Sequence, residues 1–142
     1  MWLFVYGTLL DVEKAARILK DKVKSAKVAF LPNYELVFNV ESEFGTGNPN
    51  IKEGGKGVWG VIYEVDEKDL EKLDKISPRY RRIKVKVITD GKELEAWTYI
   101  GKKTSDNIPP DKSCVERVIK GARAHGLPKE YIEWLENLLK SL

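Results

Sequence analysis

The chain has 142 residues, 42% of them hydrophobic and four of them tryptophan, which suits one compact domain over residues 1–142 with a real core. Twenty-five basic and twenty-two acidic side chains leave a net charge of +3 with no dense Lys/Arg block, so composition gives nucleic-acid binding no support. A single cysteine, Cys114, excludes an internal disulfide, and with His125 as the one histidine the usual Cys/His zinc site is excluded as well.

The apolar opening, Trp2-Leu3-Phe4-Val5, reads as a strand. It is too short for a signal-peptide core or a membrane span, so a soluble protein in a reducing, cytoplasmic setting is expected. Tyr6-Gly7-Thr8-Leu9-Leu10 follows, and then a helix with Val12, Ala15, Ala16 and Leu19 on one face. A strand that runs through a glycine turn into a helix start exposes several backbone N–H groups, and these can hold an oxyanion or carboxylate.

Val28–Phe30 and Tyr34–Phe38 read as short strands broken by the turn pair Pro32-Asn33. From Glu41 to Gly57 the glycine-rich, Asn-Pro-Asn-containing segment reads as a long loop, of a length that is usually functional or disordered. Val58–Tyr63 reads as a buried strand, and Asp66 caps a helix whose Leu70, Leu73 and Ile76 share a face. Arg82–Thr89 alternates, with Ile83, Val85 and Val87 on one side. Asp90-Gly91 then predicts a type I′ hairpin that pairs Thr89 with Lys92, Val87 with Leu94, Lys86 with Glu95 and Val85 with Ala96.

After Ile108-Pro109-Pro110, Asp111 or Ser113 can cap a helix with Val115, Val118, Ile119 and Ala122 on one stripe, ended by Gly126. Pro128 starts a last helix whose Tyr131, Leu135, Leu138 and Leu142 dock on the core or on a partner, a homodimer face in the second case. Trp59, Trp97 and Trp134 are expected to be core and packing residues, and a protonated His125 suits the helix end beside Gly126.

With these residues in order, the chain resembles the γ-glutamylcyclotransferase family, including its AIG2-like and γ-glutamylamine cyclotransferase branches. The resemblance rests on Val5-Tyr6-Gly7-Thr8-Leu9, Asn50-Ile51, Gly57 through Tyr63, Leu73-Asp74, Tyr80-Arg81-Arg82, Pro109-Pro110 and Gly121 through Pro128. It implies an α+β fold, a small mixed β-barrel flanked by helices, with the pocket at one mouth. It also implies a cofactor-free reaction in which a small γ-glutamyl compound closes on itself and releases 5-oxoproline. The substrate-binding set carried over is Tyr6, Gly7, Thr8, Leu9, Leu10, Tyr80 and Cys114, bordered by part of the Glu41–Gly57 segment.

The family places its catalytic glutamate in a Leu-Asp-x-x-Glu-Gly pattern, and here Ser77 stands in that place. A serine hydroxyl does not take a proton from an ammonium at neutral pH without a base behind it. Glu41, Glu43 and Glu53 are the candidates for a substitute base, although a charged loop residue is far more often merely solvated. The Tyr-Gly loop is one residue shorter than the Tyr-Gly-Ser-Asn-Leu form of relatives, and Cys114 stands where those relatives often carry a substrate-facing tyrosine. Cys114 is either a reactive thiol at a helix start or a small apolar packer. Of Arg81 and Arg82, alternation turns one inward, where it holds a substrate carboxylate or pairs with a rim acid. The expectations are therefore a cyclotransferase with a relocated base, a binding module that has lost turnover, or a scaffold subunit.

Overall fold

A computed structural model describes residues 1–142. Seven strands and four helices follow in chain order: β1 (Trp2–Val5), α1 (Val12–Leu19), β2 (Lys27–Leu31), β3 (Tyr34–Glu41), β4 (Gly47–Glu53), β5 (Val58–Glu64), α2 (Glu67–Ile76), β6 (Tyr80–Thr89), β7 (Lys92–Gly101), α3 (Lys112–His125) and α4 (Lys129–Lys140). Five of the strands close into a barrel in the order β1-β5-β2-β6-β7, sealed where β1 runs parallel to β7 at Leu3 and Trp97. This is the expected mixed barrel with helices outside.

The β6–β7 hairpin has the register that its alternation and turn predict, Thr89 opposite Lys92, Val87 opposite Leu94 and Val85 opposite Ala96. Asp90 and Gly91 both take positive φ, 50° and 73°, as a type I′ turn demands. Asp66 and Asp69 form a reciprocal capping box at the start of α2. Asp111, rather than Ser113, caps α3, accepting from the Cys114 amide at 3.0 Å. No helix is long and apolar enough to cross a membrane.

The expected Glu41–Gly57 loop is a correction. Ser42–Gly45 forms a tight turn, and Gly47–Glu53 returns as β4 against β3, from Glu41 opposite Gly47 to Tyr34 opposite Glu53. Glycine, asparagine and proline disfavour strands locally, but pairing and burial override that preference. Leu36, Val40 and Ile51 are buried, and the buried amide of Asn50 bonds Asn39 and the Gly101 N–H. Pro49 is tolerated because the two-stranded sheet is all edge. β2 and β3 do not pair with each other; β2 joins the barrel and β3 the separate hairpin.

α4 turns Leu135 into the core with Tyr131 and Leu138 packed beside it, so its apolar stripe meets the chain's own core. Trp134 was expected to pack inside and is instead 47% exposed, on the outer side next to the Tyr131 ring.

Candidate functional site

β1 ends at one mouth of the barrel, and the chain turns there through Gly7 into a single 3-10 turn, Thr8–Leu10, before Asp11 caps α1. Leu10 N donates to Gly7 O at 3.0 Å and Asp11 N to Thr8 O at 3.1 Å, which fixes the turn. The Gly7 amide has no backbone acceptor, and the Thr8 and Leu9 amides, first in the turn, have none within it. A Cβ at Gly7 would stand 3.1 Å from Pro49 Cβ, so glycine lets the β3–β4 hairpin close on the turn.

The turn borders a cavity of about 530 Å³, whose walls come from the end of α2, the start of β6, the start of α3 and Asn48-Pro49 of β4. Tyr6, Gly7, Thr8, Leu9, Ser77, Tyr80 and Cys114 all reach it. Leu10 does not: it is fully buried behind the turn, with the backbone of Gly121 against it and its carbonyl 3.1 Å from His125 Nε2.

The tyrosine hydroxyls are already engaged. Tyr6 donates to Tyr99 O at 2.6 Å, Tyr80 to Pro49 O at 2.7 Å, and Tyr99 to Asp74 Oδ1 at 2.7 Å. Burial pushes all three phenols above their ordinary range, helped at Tyr6 by Tyr80 and at Tyr99 by Asp74, so they stay neutral donors. Tyr80 thereby holds β4 to the start of β6. The Cys114 thiol donates to Asn48 Oδ1 at 3.4 Å. Burial first, and the Asp111 carboxylate second, push it up to about 11, which outweighs the pull of a helix start and leaves a thiol rather than a reactive thiolate.

No carboxylate lines the cavity. Glu41 ends β3 beside the turn, Glu43 lies in the turn and Glu53 stands at the open end of the hairpin; all three are at the surface and none reaches the cavity. The substitute-base reading of Glu41, Glu43 and Glu53 is therefore corrected: once the segment forms a hairpin, its acids point away from the cavity wall, which receives Asn48 and Pro49 instead. Asp74, one helical step from Ser77, lies behind Tyr99 and pairs with Arg82 at 2.9 Å.

The charged residues on the wall are cations, Lys14, Arg79 and Arg117. Neither Arg81 nor Arg82 reaches it; Arg82 pairs with Asp74 and Glu67 and lies over the Trp97 ring. Sequence reasoning missed the three cations, although Arg117 follows Cys114 at i+3 on α3 and so shares its side of the helix. His125 is also a correction, since burial lowers its pKa and favours the neutral ring against Leu10 O. No group of three or more His, Cys, Asp or Glu side chains comes together.

The family model described as gamma-glutamyl cyclotransferase, AIG2-like, matches residues 3–117. The chain belongs to this family. The Bos taurus gamma-glutamylcyclotransferase is 33% identical over 146 residues, covering 95% of this chain and 77% of that protein. The Homo sapiens gamma-glutamylcyclotransferase is 34% identical over 87 residues, and that match spans 58% of this chain but only 46% of the human protein. A solved gamma-glutamyl cyclotransferase structure superposes with a TM-score of 0.81 at 30% identity, covering 95% of this chain and 85% of that one. In this AIG2-like family member the position of the expected glutamate, Ser77, ends α2 at the cavity wall, and the wall around it is cationic.

Proposed function

We propose that the chain is a γ-glutamyl cyclotransferase that releases 5-oxoproline from a small γ-glutamyl compound by attack of the substrate's α-amine on its own γ-carbonyl. The observation that carries this reading is the Tyr6–Leu9 turn, whose Gly7 amide has no backbone acceptor, set on a cavity with the volume of a small-molecule site. Closing a five-membered ring gains from proximity, so the protein's work is to hold the folded substrate, stabilise the carbonyl oxygen and move protons. In this reading the Gly7, Thr8 and Leu9 amides face the developing oxyanion, and Arg79 and Arg117 neutralise the substrate carboxylate. The setting proposed is cytoplasmic and the partner a γ-glutamyl amino acid or amine.

A second reading, a module that binds such a carboxylate without turning it over, is favoured by the cavity's lack of any carboxylate. Purified protein incubated with γ-glutamyl-alanine separates the two when 5-oxoproline is followed by chromatography. The enzyme reading expects catalytic release, and calorimetric binding of 5-oxoproline with no release leaves the binding module. Neither release nor binding would refute both.

A further inference from the structure

The cyclisation needs a group that takes a proton from the α-ammonium, and the wall residues narrow the choice. Ser77 offers a hydroxyl with no base behind it, and the Tyr6, Tyr80 and Tyr99 hydroxyls are spent on carbonyl or carboxylate acceptors. The Cys114 thiol is bonded to Asn48. Arginine does not give up its proton in proteins. Ser113 has the Asp111 carboxylate behind its hydroxyl, but that carboxyl is held down at about 2 and takes up no proton near neutral pH. Lys14 is what remains. It projects from α1 onto the cavity, and its Nζ lies 2.6 Å from Thr8 Oγ1, beside the amides proposed to face the oxyanion.

Lys14 has no acid as an ion-pair partner. The nearby Asp11 carboxylate is shared by Arg117 at 3.9 Å and Lys120 at 3.8 Å. The other groups that face the amine are Arg117 and Cys114 from α3 and Arg17 from its own helix. Burial first and Arg117 second lower the Lys14 pKa; Cys114 raises it by less than either, Arg17 adds a smaller lowering, and Asp11 the smallest raising contribution. A lysine held partly out of water among other cations gives up its proton more readily, the environment in which lysines serve as bases.

We propose that the Lys14 amine, held next to the Gly7–Leu9 turn by Thr8, stands in for the family's carboxylate and accepts the α-ammonium proton of the substrate. The inference rests on the cyclotransferase reading. The neutral Lys14 amine removes one ammonium proton, and the freed lone pair forms the ring C–N bond while the carbonyl π pair moves to oxygen. As the carbonyl re-forms, the old C–N bond breaks with its electron pair going to the leaving nitrogen, and the Lys14 ammonium protonates that nitrogen. The surplus proton on the ring nitrogen passes to Lys14 and on to the departing amine, which leaves as an ammonium. No proton, electron or water is gained or lost overall.

The test compares 5-oxoproline release from γ-glutamyl-alanine by wild type, Lys14→Met, Lys14→Arg and the Ser77→Glu/Lys14→Met double variant, with kcat and KM over pH 6–10. The expected result is a kcat loss of about 10²-fold or more in both single variants, the worth of a general base, with KM moved far less. Wild-type kcat/KM should rise with pH along a limb that Lys14→Met lacks, and the double variant should recover part of kcat. Circular dichroism and calorimetric binding of 5-oxoproline check that the variants are folded with the site intact, and Lys14→Arg keeps the charge and bulk should Lys14→Met fold poorly. Wild-type kcat in Lys14→Arg, or a change in KM alone in Lys14→Met, makes Lys14 a carboxylate holder and overturns the proposal while leaving the cyclotransferase reading in place. A wild type that binds 5-oxoproline without turnover overturns it in favour of the binding module, and one that neither binds nor releases it overturns both readings.

Discussion

Asn50 is the tie between the β3–β4 hairpin and the barrel, and removing it should loosen the cavity from the hairpin side. It is 3% exposed, its Nδ2 donates to Asn39 Oδ1 at 2.9 Å, and its Oδ1 accepts from the Gly101 amide at 2.8 Å. Asn50→Ala deletes both bonds and strands two partners. Stranding a buried group costs about 1–3 kcal/mol. Asn39 is half-exposed and water can serve its amide, so its share lies near the lower bound, and the total is about 2–4 kcal/mol. Asn39→Ala removes only the first bond but strands the buried Asn50 Nδ2, and should cost about 1–3 kcal/mol, less than Asn50→Ala because the Gly101 bond survives. Urea denaturation should show the midpoint falling in that order with unchanged m. Hydrogen exchange at Gly101 should quicken in Asn50→Ala, and 5-oxoproline affinity should drop because Pro49 next to it loses its anchor. A loss under about 1 kcal/mol in Asn50→Ala, or equal losses in the two variants, would refute the bridging role.

Cys114, with its thiol pushed up to about 11 from an ordinary 9.0, should react with iodoacetamide at pH 8 about 100-fold more slowly than a free thiol, since only the thiolate attacks; mass spectrometry following single-site alkylation checks this, and a rate equal to that of a model thiol would show the group accessible and ionised. Asp111→Ala should cost about 1 kcal/mol at pH 7 through the lost cap. The Ser113 and Thr46 hydroxyls hold the Asp111 carboxyl down at about 2 from an ordinary 3.8, so its contribution is present above the ordinary value and lost as pH falls through the depressed one. Wild-type and Ala melting curves should accordingly converge between pH 4 and pH 2, and a gap that persists at pH 2 would show that the ionised cap is not its source.

Where local chemistry and tertiary context agree, the fold could be read in advance. Asp90-Gly91, the alternation of Arg82–Thr89 and the Asp66 cap each determine their own geometry within a few residues. β4 was illegible for the opposite reason: Gly47, Asn48, Pro49 and Asn50 have poor strand propensity, and only the distant Asn39 and Gly101 make a strand there satisfiable. The candidate site divides the same way. The Tyr6–Leu9 turn was visible as a strand meeting a helix, and Ser77 as a departure from a pattern. Lys14 lies on α1, Arg79 in the turn before β6 and Arg117 on α3, and no spacing along the chain announces that they meet. Trp134 and His125 show the limit of residue-type expectation, because the face of a helix and the carbonyl beside it decide their environment.

The β3–β4 hairpin takes no part in closing the barrel. The five-stranded ring completes its own hydrogen bonding, and the hairpin is attached through the Asn50 bridge, the Tyr80 hydroxyl on Pro49 O, and Gly47, which bonds Pro109 O and receives Asp111 N. It supplies Asn48 and Pro49 to the cavity wall all the same. One wall of the cavity thus comes from outside the ring, although Leu36, Phe38 and Ile51 join the hairpin to the same hydrophobic core. A protein built in this way can exchange one wall of its cavity by altering the cavity-facing residues of a ribbon of roughly hairpin length, with the strand pairing of the ring left untouched.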